Sequence, residues 1–360
     1  MQRRQCLRWS FGLFGAAFSG QIFAQKAGAD AAAASDKLIW RQRALIGFGT
    51  TLWLKAGHPN ADQLDAALTA AVNAIRGVER QMSLIDPNSA VSRLNAQGSL
   101  RQPDAQLLSV LNLARDVSAR SGGAFDISMQ PLWQTWSQAA AQGDLPTQRE
   151  VQRAKALVNW RAVEASASIV RLNQPGMGVS LNGIAQGYAS DLARATLQAH
   201  GIAHAMLDVG ETTTLGHAPT DKAWSFEIEP AVVATAPGKI THTGSDSSGK
   251  ATGQAPVLVS DGRAMATSSD AHTAFSADHL HHHIVNPETG YSPLHWSSVT
   301  VIAPRCVLAD ALTKVFFMLP PSQVLAAARR WEVDVVLQDK AGKWIASPGA
   351  RTVKIGRAHV

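Results

Sequence analysis

Between residues 61 and 82, Leu64, Leu68, Ala71, Ile75, Val78 and Met82 recur three or four positions apart with polar residues between them. That spacing places them on one face of a long amphipathic helix. Asp86-Pro87-Asn88 stops it. A second helix is expected over 103–121, ended by Gly122-Gly123, because glycine tolerates the left-handed backbone that closes a helix. Further helices are predicted over 147–157, 183–200, 308–318 and 323–331. Residues 38–56, rich in Leu, Ile, Trp and Thr, predict a strand or hairpin, and 169–179 a hairpin turning on Gln174-Pro175-Gly176. Strands are expected at 205–209, 224–233, 256–259, 299–303 and 333–338, whereas the Gly/Ser/Thr-rich stretch 234–255 reads as a flexible surface insertion. Helices and strands intermix without a regular βαβ rhythm. The class is therefore α+β, with mixed, largely antiparallel sheets and packed helices.

Composition narrows this picture. The chain has 360 residues, 46% apolar and 17% charged, which excludes wholesale disorder and a polytopic membrane protein. Two cysteines without a CxxC or Cys/His spacing exclude a disulfide scaffold and a zinc ribbon. Half of the formal charge of +6 sits on Arg3, Arg4 and Arg8, so too little is left elsewhere to argue for nucleic acid. Those arginines precede an apolar run over 9–24, about 16 residues and short for a ~20-residue membrane span. Residues 1–25 read as a cleaved export signal, and the order Arg3-Arg4-Gln5-Cys6-Leu7-Arg8 resembles a twin-arginine signal. The expected location is the periplasm, where Cys306 would be the single thiol of the mature chain. The Ala- and Asp-rich residues 26–36 read as a linker. Residues 355–360 match what a common sequencing adaptor encodes in frame and are expected to be foreign.

Five segments could carry chemistry. Asn182-Gly183-Ile184-Ala185-Gln186-Gly187 opens a helix with small residues, which suits either an anion at free backbone N–H groups or tight packing on a sheet. Asp310, in the apolar run Ala309-Asp310-Ala311-Leu312-Thr313-Lys314, is either a cation ligand or a helix N-terminal carboxylate. His279, His281, His282 and His283 suggest adventitious metal binding, solvated loop residues or, for one of them, a proton-transfer group. Gly122-Gly123-Ala124-Phe125-Asp126 and the stretch 86–95 are, individually, ordinary turns.

In this order, however, Gly49-Thr50-Thr51, 82–95, 122–126, 182–191, 283–290 and 298–312 resemble the FAD:protein FMN transferase (ApbE) family, with similarity over 44–337. The resemblance implies a T-fold-related domain spanning 37–353. It also implies an exported enzyme that, with Mg²⁺, cleaves the pyrophosphate of FAD, places FMN on a Ser or Thr of a partner protein and releases AMP. The partner would be an exported or membrane electron-transfer subunit. By the same resemblance His283 is the base for the acceptor hydroxyl. FAD contacts fall on Phe48, Ile85, Ala124, Phe125, Asp126, Ser180, Gln186 and Ile284. Metal ligands fall on the Gly183 carbonyl, Asp310 and Thr313.

Several positions depart from the family pattern. Phe48 stands for Met, Ile85 for Tyr, Ser180 for Asp, Gln186 for Lys and Asn286 for Asp, while Lys314 replaces a metal-ligating Thr. A protonated ammonium is no metal ligand. It would either point away or substitute for part of the metal's charge, with Thr313 supplying the hydroxyl. Two further readings stay open: a periplasmic FAD-binding or donor protein without turnover, and a pyrophosphatase giving FMN and AMP.

Overall fold

The structure, a computed structural model, describes residues 37–228, 232–236, 239–242, 256–271, 273–276 and 278–353. The expected export signal, the linker, residues 243–255 of the expected insertion and residues 355–360 lie outside them.

Strands β1 (Ile39–Gly47) and β2 (Thr50–His58) form the predicted hairpin. Its two turn residues, Phe48 and Gly49, both have positive φ (50° and 80°), as a two-residue hairpin matched to strand twist requires. Glycine adopts that backbone freely and Phe48 does not; the Phe48 N–H is held by Glu79 Oε1 at 2.8 Å. Helix α1 (Ala61–Met82) starts at Asn60, whose side chain accepts from the Gln63 N–H, and every residue of its predicted stripe is fully buried. There follow α2 (Ala90–Gln97), β3 (Ser99–Arg101), α3 (Ala105–Arg120), α4 (Gln130–Ala141) and α5 (Gln148–Lys155). A Thr147–Glu150 capping box opens α5. Helices α2 and α4 were not expected from the pattern.

Strands β4 (Val163–Ala165) and β5 (Ile169–Leu172) correct another expectation. Gln174-Pro175-Gly176 does not turn a hairpin; β5 is instead the centre of a three-stranded sheet, β3-β5-β4. The chain continues through α6 (Ala185–Ala199), β6 (His204–Asp208), β7 (Thr212–Leu215), β8 (Ser225–Glu227), β9 (Val232–Ala236) and β10 (Lys239–His242). Strands β9 and β10 pair as a hairpin, so part of the stretch expected to be a flexible insertion is regular. Next come β11 (Val257–Val259), β12 (Ala264–Ser269), β13 (Trp296–Ala303), α7 (Cys306–Phe317), α8 (Pro321–Trp331), β14 (Asp334–Asp339), β15 (Trp344–Ala346) and β16 (Thr352–Val353).

The main sheet runs β1-β2-β6-β7-β12-β13-β14-β15, with every neighbouring pair antiparallel. On one face α1 packs on α6, α6 on α7, and α7 on β12 and β13. On the other, Met265, Ile302 and Val336 pack with Ile228 and Leu258 of the small sheet β16-β11-β8 and its flank. Strand β13 is thus covered on both faces and buried along its whole length, which is why 299–303 (Val-Thr-Val-Ile-Ala) carries apolar residues on both faces rather than a strict alternation. This stacking lays α7 across the sheet centre and the start of α6 against it.

Candidate active site

The close approach of α6 to α7 depends on Gly187. A Cβ there would lie 2.5 Å from the Cys306 carbonyl oxygen and 2.8 Å from Asp310 Cβ, distances that no side chain tolerates. The Gly187 N–H, one of the donors that a helix start leaves without an intrahelical partner, donates to Asp310 Oδ2 at 3.0 Å. The Ala185 N–H already donates to the Leu181 carbonyl. The anion received by this glycine-opened helix start is therefore the protein's own carboxylate. One turn further on, Asp191 accepts from the backbone N–H groups of Cys306 (2.8 Å) and Val307 (3.0 Å) and so caps α7.

Asp310 is fully buried, and Lys314, one turn later on the same face of α7, donates from Nζ to its Oδ1 (2.5 Å) and to its backbone carbonyl (3.2 Å). Thr313 is equally buried; its hydroxyl donates to the same carbonyl at 2.7 Å and pairs with Ser268 Oγ of β12 at 2.7 Å. The stem of Lys314 runs past Gly183, where a Cβ would stand 3.1 Å from Lys314 Cε and 3.4 Å from Phe125 Cε2. Gly183, Phe125, Thr313 and Asp310, separated by up to 188 positions, thus meet around one lysine. The Gln186 amide also belongs here: it lies on Gly210 (φ 86°), at a point where only glycine fits.

Sequence reasoning missed Glu211 and Ser268. Glu211 is buried and accepts from the Thr267 N–H at 3.1 Å. Burial, and after it the negative charge of Asp310, pushes its carboxyl well above the usual range, with Lys314 pulling the other way. The signal available was Asp208-Val209-Gly210-Glu211, two carboxylates around a glycine at the end of an apolar strand.

The donor set at Asp310 does not fit the Mg²⁺ that the resemblance implies. A hard divalent cation needs carboxylate, carbonyl and hydroxyl oxygens turned toward it. Here each Asp310 carboxylate oxygen already accepts a hydrogen bond from within the chain, its carbonyl accepts two, and the cation beside them is the Lys314 ammonium, which occupies the place of a metal. Among the described residues no three His, Cys, Asp or Glu side chains gather as a metal site.

The other expected residues are spread along the flank of this junction and beyond it. Asp126 is buried, with Oδ1 accepting from the Ser128 N–H (2.7 Å) and hydroxyl (2.6 Å) and Oδ2 from the Trp160 N–H (3.1 Å). Burial raises its carboxyl above the usual value. It organises the loop that presents Ala124 and Phe125. Ser180 follows Val179, whose backbone N–H and C=O pair with the Asn95 amide at 2.7 and 2.8 Å, so the stretch 86–95 anchors the approach to Gly183. Phe48 packs on the main core at the β1–β2 turn. Ile85 is 70% exposed beside Gly49, on the rim of a cleft shared with Ile46 and Arg76.

The four histidines have separate tasks. His279 Nδ1 lies 3.4 Å from the Asp270 carbonyl, and His281 stacks on Trp136 at 4.8 Å. His282 is fully buried, with Nε2 3.3 Å from the Pro293 carbonyl. His283 Nδ1 lies 3.2 Å from the Thr273 carbonyl, and because a carbonyl only accepts, Nδ1 carries the proton and Nε2 holds the lone pair in the neutral ring. Thr273 lies four positions beyond the end of β12, the strand that gives Ser268 to Thr313, and Ile284, next to His283, is buried in the main core.

Fold and junction together define an α+β protein with a glycine-opened helix start set against a buried Asp–Lys pair. The family model for ApbE matches residues 48–337, and the chain belongs to the ApbE family. It is similar to the FAD:protein FMN transferase of Treponema pallidum, 28% identical over 288 residues that cover 75% of this chain and 76% of that protein. Similarity to the FAD:protein FMN transferase of Vibrio cholerae is 27% over 270 residues, covering 72% and 75%. Two solved structures share the fold at 21% identity. The flavin transferase ApbE from Vibrio cholerae has a TM-score of 0.70 over 86% of this chain and 98% of that one, and the ApbE protein from Thermotoga maritima 0.72 over 86% and 97%.

Proposed function

We propose that this chain transfers the FMN half of FAD to a Ser or Thr hydroxyl of a partner protein and releases AMP. The observation that carries the reading is the convergence of Gly183, Phe125 and Lys314: backbone without a side chain, an aromatic edge and an ammonium meet in one place. A flavin dinucleotide presents the matching elements, a diphosphate beside an aromatic ring system. The names of the curated relatives support the same reading.

Phosphoryl transfer asks a protein chiefly to position groups and offset charge. The acceptor oxygen bonds to the FMN phosphorus, the bridging P–O bond breaks, and AMP departs with the bridging oxygen. The hydroxyl proton passes to His283 Nε2, the ring nitrogen left unprotonated by the Thr273 contact. Phe125 and Ala124 border the flavin half, and the turn at Gly183 lets the diphosphate approach the backbone. In the cell the chain works in the periplasm, and its acceptor is an exported or membrane-bound electron-transfer subunit.

Incubation of the purified chain with FAD and candidate exported redox subunits tests this. Fluorescent flavin on the partner band of a denaturing gel, with one AMP per flavin attached, is the expected outcome. FAD that stays bound with neither AMP nor label would overturn transfer in favour of a flavin-binding protein, and AMP without label would make water the acceptor.

A further inference from the structure

We propose that Lys314 is a built-in replacement for a divalent cation, so that this chain holds the diphosphate of FAD without a metal; the second half of the statement rests on the flavin reading above. The two alternatives open to a lysine at this position are an ammonium turned away or an ammonium at the carboxylate. The geometry is the latter. Nζ contacts both the Asp310 side chain and its backbone carbonyl, and the side chain is only 23% exposed. Its stem is held against Gly183, where a Cβ would stand 3.1 Å away, so the ammonium is fixed on the helix-start side of Asp310. Thr313, the hydroxyl beside it, is fully buried and tied down at both ends, donating to the Asp310 carbonyl and paired with Ser268.

Charge points the same way. One ammonium neutralises one carboxylate, and a second cation brought to Asp310 would face that ammonium at close range. Among the described residues both acceptors of Lys314 are atoms of Asp310, which leaves the third N–H donor of the ammonium for a ligand oxygen. A diphosphate oxygen beside Gly183 is of the right chemistry to take it.

The test uses Mn²⁺ as a paramagnetic stand-in for Mg²⁺, read by electron paramagnetic resonance, and FAD binding read by flavin fluorescence with and without EDTA. Wild-type protein is expected to take up no Mn²⁺ at this site and to bind FAD equally in EDTA. Lys314→Thr frees the Asp310 carboxylate and should gain a Mn²⁺ site at least tenfold tighter than anything in wild type, lost again in the Lys314→Thr/Asp310→Asn double variant. If Lys314→Thr fails to fold, Lys314→Ser makes the same comparison. Wild-type uptake of Mn²⁺ matching the variant, a gained site that survives Asp310→Asn, or wild-type FAD binding abolished by EDTA and restored by Mg²⁺ would each overturn the proposal. Absence of FAD binding in every protein, with and without metal, would instead sink the flavin reading, and the Mn²⁺ comparison would still decide what Lys314 does.

Discussion

Gly187 and Asp310, 123 positions apart, are joined by a 3.0 Å hydrogen bond from the glycine N–H to the carboxylate, at a helix crossing that leaves no room for a methyl group. The contact holds α6 and α7 in register and sets the direction of Asp310. Gly187→Ala places a Cβ against backbone atoms of Cys306, which cannot rotate out of the way as a side-chain tip could. Overpacking of this kind costs about 1–3 kcal/mol. Urea denaturation should show that loss, together with weaker FAD binding, because Asp310 and its lysine move with the helix. A variant of unchanged stability would mean that the helices separate without cost.

Asp191 performs the complementary task by closing the first turn of α7 from a neighbouring helix. Replacing it by alanine removes both acceptors from two backbone donors at a helix start, worth about 1–2 kcal/mol. Asp191→Asn keeps one good acceptor oxygen and should lose about half as much. Equal losses in the two variants, measured by denaturant midpoint at neutral pH, would show that charge rather than hydrogen bonding carries the cap.

His283 separates binding from chemistry. His283→Ala removes the proton acceptor but leaves Phe125, Gly183 and Lys314 in place, so FAD should still quench while labelling of the partner falls by about 10²–10⁴-fold. A variant that labels at the wild-type rate would remove the histidine from the mechanism; one that no longer binds FAD would make it a binding residue.

The parts of this fold legible in sequence are those where burial is one-sided or complete. The stripe from Leu64 to Met82 announced α1 with its bounds, and the β-branched stretch at 299–303 announced the heart of β13. Strand β12, Ala-Met-Ala-Thr-Ser-Ser, gave no such signal: apart from Met265 its residues are small or polar, and its neighbours in the sheet, not its own propensity, make it a strand. Proline and glycine at 175–176 suggested a hairpin because turn chemistry says where the chain bends, not what it pairs with afterwards. At the site, Asp310 and the small residues around Gly187 stood out individually as residues needing an explanation. That each explains the other could not be read from the chain, since a contact across 123 positions leaves no local pattern. The histidine run misled in the opposite sense, since residues adjacent in sequence face different partners, and only His283 retains a chemical reading.

His282 predicts how stability responds to acid. Burial, reinforced by the positive charge of Lys340 and by neighbouring His283, lowers its pKa from the ordinary 6.5 to about 3. With Nε2 against the Pro293 carbonyl and Nδ1 buried without a partner among the described residues, the ring finds no acceptor there for a second proton. The unfolded chain therefore binds a proton that the folded chain refuses between pH 6.5 and about 3. The stability of the neutral ring is fully present above pH 6.5 and is lost as pH falls through that window, by up to about 1.4 kcal/mol per unit. The raised carboxyls of Asp126, Asp191, Asp208 and Glu211 act oppositely, holding protons more firmly when folded, so the whole-protein profile mixes both signs. Comparison with His282→Gln cancels the carboxyl contributions. The stability advantage of wild type over the variant should shrink by about 1.6 kcal/mol between pH 6.5 and pH 5 in urea titrations. A difference that stays constant over that range would mean that the ring accepts its proton without unfolding the loop, and that burial of His282 is not what resists it.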